Sequence, residues 1–366
     1  MLLFAAVTGV CVLLLGLPIK GLVLGLLRVP RPVAPVMDAY YDVFLLLLPI
    51  YYVFIVTNAL FRAQKRVLEP LYAMILTTAV NTFGDLAFGL GWWGFPNFGY
   101  KGLAWATFLS VTAGMALNLW LLRRAGLLSL DVFPPWRWAR AALPYVLKVA
   151  WPGGLMQLVW HSAYLALFAI VAALPMGAVP ALAGMTAGLR VESLLFLPGF
   201  AFNMTASILV GQRLGEGRPD KARADGFRVL GLGVGVISLL AVVLWLFVRP
   251  LAAFVAPETA VQTQTIDYLA YNLLAIPFTL TTMTLSGALT GAGATLYNLL
   301  AFGGTAWLVR LPLAWWLGHV VMQRAEGIWL AMLISQAIQA MIVLYIFARR
   351  DWARFAMIRK RVNNGN

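Results

Sequence analysis

The sequence predicts an all-α integral membrane protein with about ten transmembrane helices in two pseudo-symmetric bundles. Three observations support this prediction: the composition, the spacing of hydrophobic runs and an internal repeat. Of the 366 residues, 62% are hydrophobic and only 11% are charged, whereas soluble domains carry about 25% charged residues. Runs of about 20 apolar residues are long enough for helices to span a bilayer, and the sequence lacks the weak alternation typical of membrane β-barrels.

Ten hydrophobic runs follow one another along the chain. We predict spans at about 1–19, 40–61, 70–92, 102–122, 149–173, 181–209, 228–248, 268–290, 296–318 and 327–348. Residues 1–19 lack a basic N-terminal region and a small-residue cleavage site, so they are predicted to be a membrane helix and not a signal peptide. The single cysteine, Cys11, excludes an intramolecular disulfide and a metal site built from several cysteines.

The basic residues are divided unequally between the two sets of loops. Most of the 27 Lys and Arg residues lie in one set, which includes the C-terminal segment. Because basic residues concentrate on the cytoplasmic side of membrane proteins, the C-terminus is predicted to be cytoplasmic. The net charge of +14 then reflects topology and contact with anionic lipids. Basic residues scattered over several loops argue against nucleic-acid binding.

An internal repeat relates the two halves of the chain. The segment that begins at Asn58 aligns at a constant offset with the segment that begins at Gly287, and spans one to four thereby pair with spans seven to ten. Spans five and six have no partner. Repeats of two bundles are a known transporter plan. The sequence therefore predicts an incomplete N-terminal lobe of about four helices at 1–122, a cytoplasmic amphipathic linker at 123–148, a six-helix C-terminal lobe at 149–348 and a basic cytoplasmic tail at 349–366.

Polar side chains on span six define the first candidate functional residues. Glu192 and Asn203 belong to a stripe of small and polar residues, which is typical of a helix that packs closely or lines a wet cavity. A carboxylic acid inside a membrane span is costly, so Glu192 is a candidate for proton or ion coupling. The alternative is a structural ion pair with Arg190 or Arg310. Arg190 is roughly 200° around the helix from Glu192, so the two do not share a face.

Two further spans carry polar stripes. Gln157, His161 and Tyr164 fall on one face of span five. Imidazole titrates at about pH 6.5, so His161 is a second candidate proton carrier, although a hydrogen-bonded core histidine is the commoner outcome. Asn81 and Asp85 form a stripe on span three, where Asp85 is either a coupling residue or a helix–helix contact. The remaining residues predicted to line a cavity are Arg310 and Asn272.

One segment resembles a known family closely enough to name it. LRVESLLFLPGFAFNMTASILVGQRLGEGRPDKAR is similar to the eighth helix and following loop of the multidrug and toxic compound extrusion (MATE) antiporters. GALTGAGATLYN, VRLPLAWWLG and VNTFGDLAFG resemble the tenth-to-eleventh helix turn, the eleventh helix and the fifth helix of that family. The family motif VGQxxGxG is matched here by Val210, Gly211, Gln212, Gly215 and Gly217.

The resemblance covers the whole chain and corresponds to the third through twelfth helices of the family. The equivalents of the first two helices, with the first-helix acid on which many bacterial members rely, are missing from this alignment. The expectation is therefore an N-terminally truncated member of the family.

The resemblance implies a secondary transporter that exports organic, cationic compounds by antiport with H⁺ or Na⁺. Glu192, Asp85 and His161 are then the coupling candidates, and the VGQxxG motif marks a cytoplasmic gate. Two alternatives stay open: a flippase for lipid-linked precursors of the same superfamily, and a non-transporting truncated form. No phosphate-binding loop, HExxH or Ser/His/Asp pattern occurs in the sequence, so an enzyme is not predicted.

The expected setting follows from the same assignment. We expect a multi-pass protein of the bacterial inner membrane, monomeric, whose partners are a small organic substrate and the lipid bilayer. No cofactor and no metal site are expected apart from the coupling ion.

Overall fold

The computed structural model describes residues 2–26, 34–64, 66–128, 136–256 and 258–355. Every regular element within these ranges is a helix, which confirms the predicted fold class. The chain divides into two compact units, Met1–Pro134 and Pro135–Asn366.

The first unit contains four long helices: α1 (Leu2–Leu26), α2 (Ala34–Ala63), α3 (Leu68–Gly84) and α4 (Tyr100–Arg124). A π-helical turn, Asp85–Gly89, continues α3, and a short 3-10 turn at Trp92–Gly94 precedes α4. The buried amide of Asn118 on α4 donates hydrogen bonds to Thr57 Oγ1 (3.1 Å) and Asn58 Oδ1 (2.9 Å) on α2. Buried polar groups require such partners, so these two hydrogen bonds fix how α2 and α4 pack against each other.

The second unit contains the remaining helices. They are α5 (Trp136–Ala172), α6 (Ala178–Gly215), α7 (Pro219–Leu246), α8 (Val248–Val255), α9 (Thr259–Gly291), α10 (Thr295–Gly304), α11 (Leu311–Trp315) and α12 (Ala325–Arg349). Two π-helical turns, Thr305–Arg310 and Trp316–Val321, flank α11. Helix α5 includes the second half of the predicted linker at 123–148, while residues 129–135 lie outside the described residues. Of the predicted tail at 349–366, residues 356–366 also lie outside them.

Nine helices of the described residues are long and apolar enough to cross a membrane. They correspond to nine of the ten predicted spans. The other predicted span, 296–318, lies within α10, α11 and the two π-helical turns, which follow one another without a break from 295 to 321. π-Helical turns inside longer helices are frequent at functional sites, and Arg310 ends the first of them.

Helix α9 is the centre of the second unit. It packs against α6, α7 and α12 and is the most buried of the spanning helices. Glycines allow α6 and α9, which run parallel to each other, to pack closely side by side. A Cβ at Gly287 or Gly291 of α9 would collide with the backbone carbonyl of Asn203 or Ser207 on α6. Small residues at helix contacts are the usual means of close packing in membranes.

We therefore expect Gly287→Val to separate α6 from α9. Overpacking of a close contact costs about 1–3 kcal/mol, and thermal unfolding in detergent should show a loss of this size. Gly235→Val on α7 is the matched control, because no atom of the described residues lies within 4 Å of a Cβ at that position. Equal unfolding temperatures for the two variants would contradict the assigned contact.

Candidate functional site

The carboxyl group of Glu192 lies in the interior of the second unit. Its side chain on α6 is only 5% exposed. The phenol of Tyr268 on α9 donates a hydrogen bond of 2.8 Å to Glu192 Oε2. The Tyr268 ring is fully buried and packs edge-to-face on Trp329 of α12, with 5.0 Å between ring centroids. Gly188, one turn before Glu192, leaves the space that this ring occupies. The packing of the Tyr268 ring therefore fixes the position of the hydroxyl that donates to the Glu192 carboxylate.

Arg310 is the second buried charge near this site. It is 3% exposed, and its Nε donates a 2.9 Å hydrogen bond to Ser335 Oγ on α12. Its guanidinium lies over the ring of Trp160, 5.6 Å from the centroid, in a cation–π contact. Trp160 and Glu192 both line the cavity described below, so this charge lies close to the site. A hydrogen bond and an aromatic face thus hold this cation inside the unit.

Glu192 forms no ion pair within 4.0 Å in the part of the chain that the structure describes. The direct partner of its carboxylate is therefore the Tyr268 phenol, and neither Arg190 nor Arg310 occupies that position. A carboxylate without a fixed counterion remains available to a proton or to a cationic ligand.

A cavity of about 320 Å³ opens beside Glu192. This is the size of a small-molecule site. Among the described residues, Glu192 is the only charged side chain that lines it. Amide and hydroxyl groups supply the other polar atoms, and aromatic rings and methionines supply most of the apolar surface. The aromatic part of the wall consists of Trp160, Tyr164, Phe196, Phe200 and Phe302. The cavity thus combines one acid with a largely aromatic lining.

Five residues predicted from the sequence meet in this cavity: Glu192, Gln157, Tyr164, Asn203 and Asn272. They come from three helices, α5, α6 and α9. The Asn203 amide also donates a 2.6 Å hydrogen bond to the Met283 carbonyl of α9, so it helps to join the two helices that carry the site.

Arg190, Arg310 and His161 do not line this cavity. Arg190 is exposed on another face of α6, as its angular separation from Glu192 predicts. Arg310 lies buried behind the wall. His161 is exposed, and its Nδ1 lies 2.8 Å from the Gln157 carbonyl, one turn earlier on α5.

Asp85 and Asn81 belong to the first unit. Asp85 begins the π-helical turn after α3, and its Oδ1 is buried without a hydrogen-bond partner among the described residues. The Asn81 amide lies 3.4 Å from Thr107 Oγ1 of α4. An unpaired buried carboxylate oxygen is costly, so Asp85 stays a candidate for proton or ion binding in its own unit.

The VGQxxG motif forms the end of α6. Val210 is fully buried, and Gly211 lies against the Gly291 carbonyl at the end of α9. Gln212 and Gly215 are in the last turn, and Gly217 reverses the chain with φ +73°. The motif thus terminates α6 where it meets the end of α9. A glycine in the left-handed region after a helix is a common termination signal.

Arg213 and Arg228 both bond the Asp225 carboxylate, at 2.7 and 2.9 Å, next to this motif. Asp225 lies on α7, and Arg213 lies on the last turn of α6. The motif and these ion pairs together hold the α6–α7 junction in place.

Sequence reasoning did not select Tyr268, Trp160 or Gln336. Tyr268 is one turn before Asn272 on α9, and that i, i+4 spacing was a usable signal. Trp160 and Gln336 carry no comparable signal, because aromatic residues and isolated amides occur on many faces of this chain. Their place in the site depends on how α5 and α12 pack against α9.

Residues 152–316 match the family model described as MatE. The chain is 28% identical over 318 residues to the probable multidrug resistance protein NorM of Thermotoga maritima, with 84% of this chain and 66% of that protein aligned. It is 29% identical over 294 residues to the multidrug resistance protein NorM of Burkholderia vietnamiensis, covering 78% of this chain and 61% of that protein. The chain spans less than two thirds of the length of these curated relatives.

Two solved structures share the fold. A MATE protein crystallised in the bent conformation superposes with a TM-score of 0.85 at 20% identity and covers 97% of this chain and 77% of its own. A MOP superfamily transporter from Pyrococcus furiosus gives a TM-score of 0.86 at 20% identity, over 96% of this chain and 76% of its own. The segment matched by the family model contains Glu192, Tyr268 and Arg310.

A double-mutant cycle tests the Tyr268–Glu192 hydrogen bond. Tyr268→Phe keeps the ring packing and removes the donor, and we expect a loss of about 1.5–3 kcal/mol in the free energy of unfolding, because the acceptor is a charged, buried group. In a Glu192→Gln background the same change should cost less, and the difference measures the coupling.

Tyr271→Phe is the matched control for this cycle, because Tyr271 is the next tyrosine on α9 and is half-buried. Unfolding is followed by denaturant titration in detergent at neutral pH. Additive effects of the two site substitutions would show that the two groups do not interact.

Proposed function

Because the chain belongs to the multidrug and toxic compound extrusion (MATE) family of transporters, we propose that it exports organic cations by antiport with H⁺ or Na⁺. The relatives of the chain are transporters and not enzymes.

The chain itself is a multi-pass protein of the inner membrane. We further propose a cytoplasmic C-terminus, from the distribution of basic residues, and a monomeric state.

The observation that carries this proposal is the single carboxylate of the cavity. Glu192 is the only charged residue of the lining in the part of the chain that the structure describes, and aromatic rings share the wall with it. Negative charge and aromatic faces both attract organic cations, and the apolar surface suits the hydrophobic part of such a molecule. The chemistry of the wall therefore favours an amphipathic cation over an anion.

Exchange follows if proton and substrate compete for the same group. The ionised carboxylate attracts a cation and accepts the hydrogen bond from Tyr268. Protonation removes the charge, so the cation loses its main electrostatic attraction and is released. Proton and substrate then exclude each other from the site, which is the condition for exchanging one for the other.

Arg310 strengthens this exchange. Ser335 and Trp160 hold its guanidinium in place, so its positive charge is present in both protonation states of Glu192. With Glu192 ionised, the carboxylate lines the cavity and the guanidinium does not, so a cationic ligand in the cavity is nearer to the negative charge. With Glu192 protonated, only the positive charge of Arg310 remains, and it repels a cationic ligand.

The cavity does not favour the flippase alternative. A lipid-linked precursor carries phosphate groups, and such a substrate calls for cations on the wall. The lining contains a carboxylate and neutral side chains instead.

Transport in proteoliposomes tests the role of Glu192. A fluorescent organic cation and an imposed pH or Na⁺ gradient provide the assay. We expect Glu192→Gln to lower gradient-driven transport at least tenfold, which corresponds to about 1.4 kcal/mol or more of lost coupling.

Asp220→Asn is the matched control for transport, because Asp220 is an exposed acid in the first turn of α7. It should transport as the wild type does. Wild-type transport by Glu192→Gln would remove this residue from coupling, and equal transport by protein-free vesicles and wild type would refute the proposed activity.

The pH dependence of binding is a separate prediction. Raising the pH ionises Glu192, so the affinity for an organic cation should rise by at least about tenfold between acidic and alkaline conditions. In Glu192→Gln the affinity should not depend on pH in this range. Equilibrium binding of tetraphenylphosphonium to the purified protein measures both, and a wild-type affinity that falls as pH rises would contradict the shared-carboxylate mechanism.

A further inference from the structure

A second, separate concavity lies on the outside of the second unit. This groove of about 530 Å³ is formed by the first three turns of α6, the end of α8 and the start of α9. Small and aliphatic side chains make up most of its wall. Its two charged residues are Arg190 on α6 and Glu258, which immediately precedes α9. Neither takes part in the Glu192 cavity.

Both charges are free to bind a ligand. Arg190 and Glu258 are exposed, and neither side chain forms an ion pair within 4.0 Å with any described residue. Glu258 occupies the N-cap position of α9, yet its carboxylate makes no capping hydrogen bond. An arginine inside a membrane span is costly unless it reaches the head-group region or meets an anion. Arg190 thus presents, among the described residues, an unpaired cation on the exposed surface of the second unit.

The surface of α6 beyond Arg190 is apolar. Leu194 and Leu197 follow Arg190 by one and two turns on the same face, and they are 54% and 71% exposed. They lead from Arg190 toward the middle of this 38-residue helix. In the other direction, the groove leads from Arg190 to Glu258 at the end of the unit. The groove and the adjoining surface of α6 therefore present, in order, the Glu258 carboxylate, the Arg190 guanidinium and an aliphatic stripe that runs toward the middle of the helix.

This order is complementary to one class of lipid. A phospholipid with an ammonium head group has, in sequence, a positive amine, a negative phosphate and two acyl chains. We propose that the groove binds phosphatidylethanolamine, with the phosphate on Arg190, the ammonium on Glu258 and an acyl chain along Leu194 and Leu197. An ammonium donates hydrogen bonds to a carboxylate, whereas the methylated choline head group cannot. An anionic head group would meet Arg190 but would be repelled by Glu258.

Native mass spectrometry of the delipidated protein in detergent tests this site. Phosphatidylethanolamine, phosphatidylcholine and phosphatidylglycerol with identical acyl chains are added separately. We expect the wild type to bind phosphatidylethanolamine about tenfold more tightly than either other lipid, since a charge-assisted hydrogen bond is worth about a factor of ten. Arg190→Gln should weaken the binding of phosphatidylethanolamine by a similar factor, and Arg190→Lys should retain most of it.

Glu258→Gln separates the two ends of the site. Removing the carboxylate should abolish the preference for phosphatidylethanolamine and should strengthen the binding of phosphatidylglycerol, because the repulsion is gone. Arg249→Gln is the matched control, since Arg249 is exposed on α8 but does not line the groove. Equal binding of all three lipids by the wild type, or unchanged lipid preferences in Arg190→Gln and Glu258→Gln, would overturn the proposal.

Discussion

The close contact between α6 and α9 is the constraint on which the rest of the second unit depends. Glycines remove the side chains that would keep the two helices apart, and the Asn203 amide bonds the α9 backbone across the contact. The same proximity brings the Tyr268 phenol to the Glu192 carboxylate. In a bilayer no hydrophobic force drives helices together, so small residues and buried polar bonds decide which helices meet. The contact that packs α6 against α9 therefore also places the hydrogen bond between Tyr268 and Glu192.

The arrangement of charge explains how such a buried acid is tolerated and used. A carboxylate in a low-dielectric interior needs hydrogen-bond donors or opposite charge, and here it has one phenol and a guanidinium at a greater distance. The guanidinium is itself satisfied by Ser335 and Trp160. Because Glu192 and Arg310 form no direct ion pair, the Glu192 carboxylate is left to face the cavity. A direct ion pair would occupy the carboxylate and leave it less able to exchange ligands.

Helix α6 has different chemistry on its two sides. Glu192 faces the interior cavity, while Arg190, two residues earlier, faces the outside groove near Glu258. A helical repeat of 3.6 residues separates such neighbours by roughly 200°. A substitution at one of these positions is therefore expected to act on the cavity or on the outside groove, but not on both. Studies of charged residues in this segment need to distinguish these two effects.

The sequence by itself determined the fold class, nine of the spanning helices and the polar stripe that contains Glu192, because hydropathy, helical period and the cost of an intramembrane charge are local properties. It also brought Gln157, Tyr164, Asn203 and Asn272 into consideration as cavity residues. The tertiary structure decided the partners: Tyr268 for Glu192, Ser335 and Trp160 for Arg310, and the exposed surface for Arg190 and His161. It also placed two π-helical turns within the continuous helical stretch 295–321. These features depend on side chains that are far apart in the chain, and the packing of α5, α6, α9 and α12 brings them together.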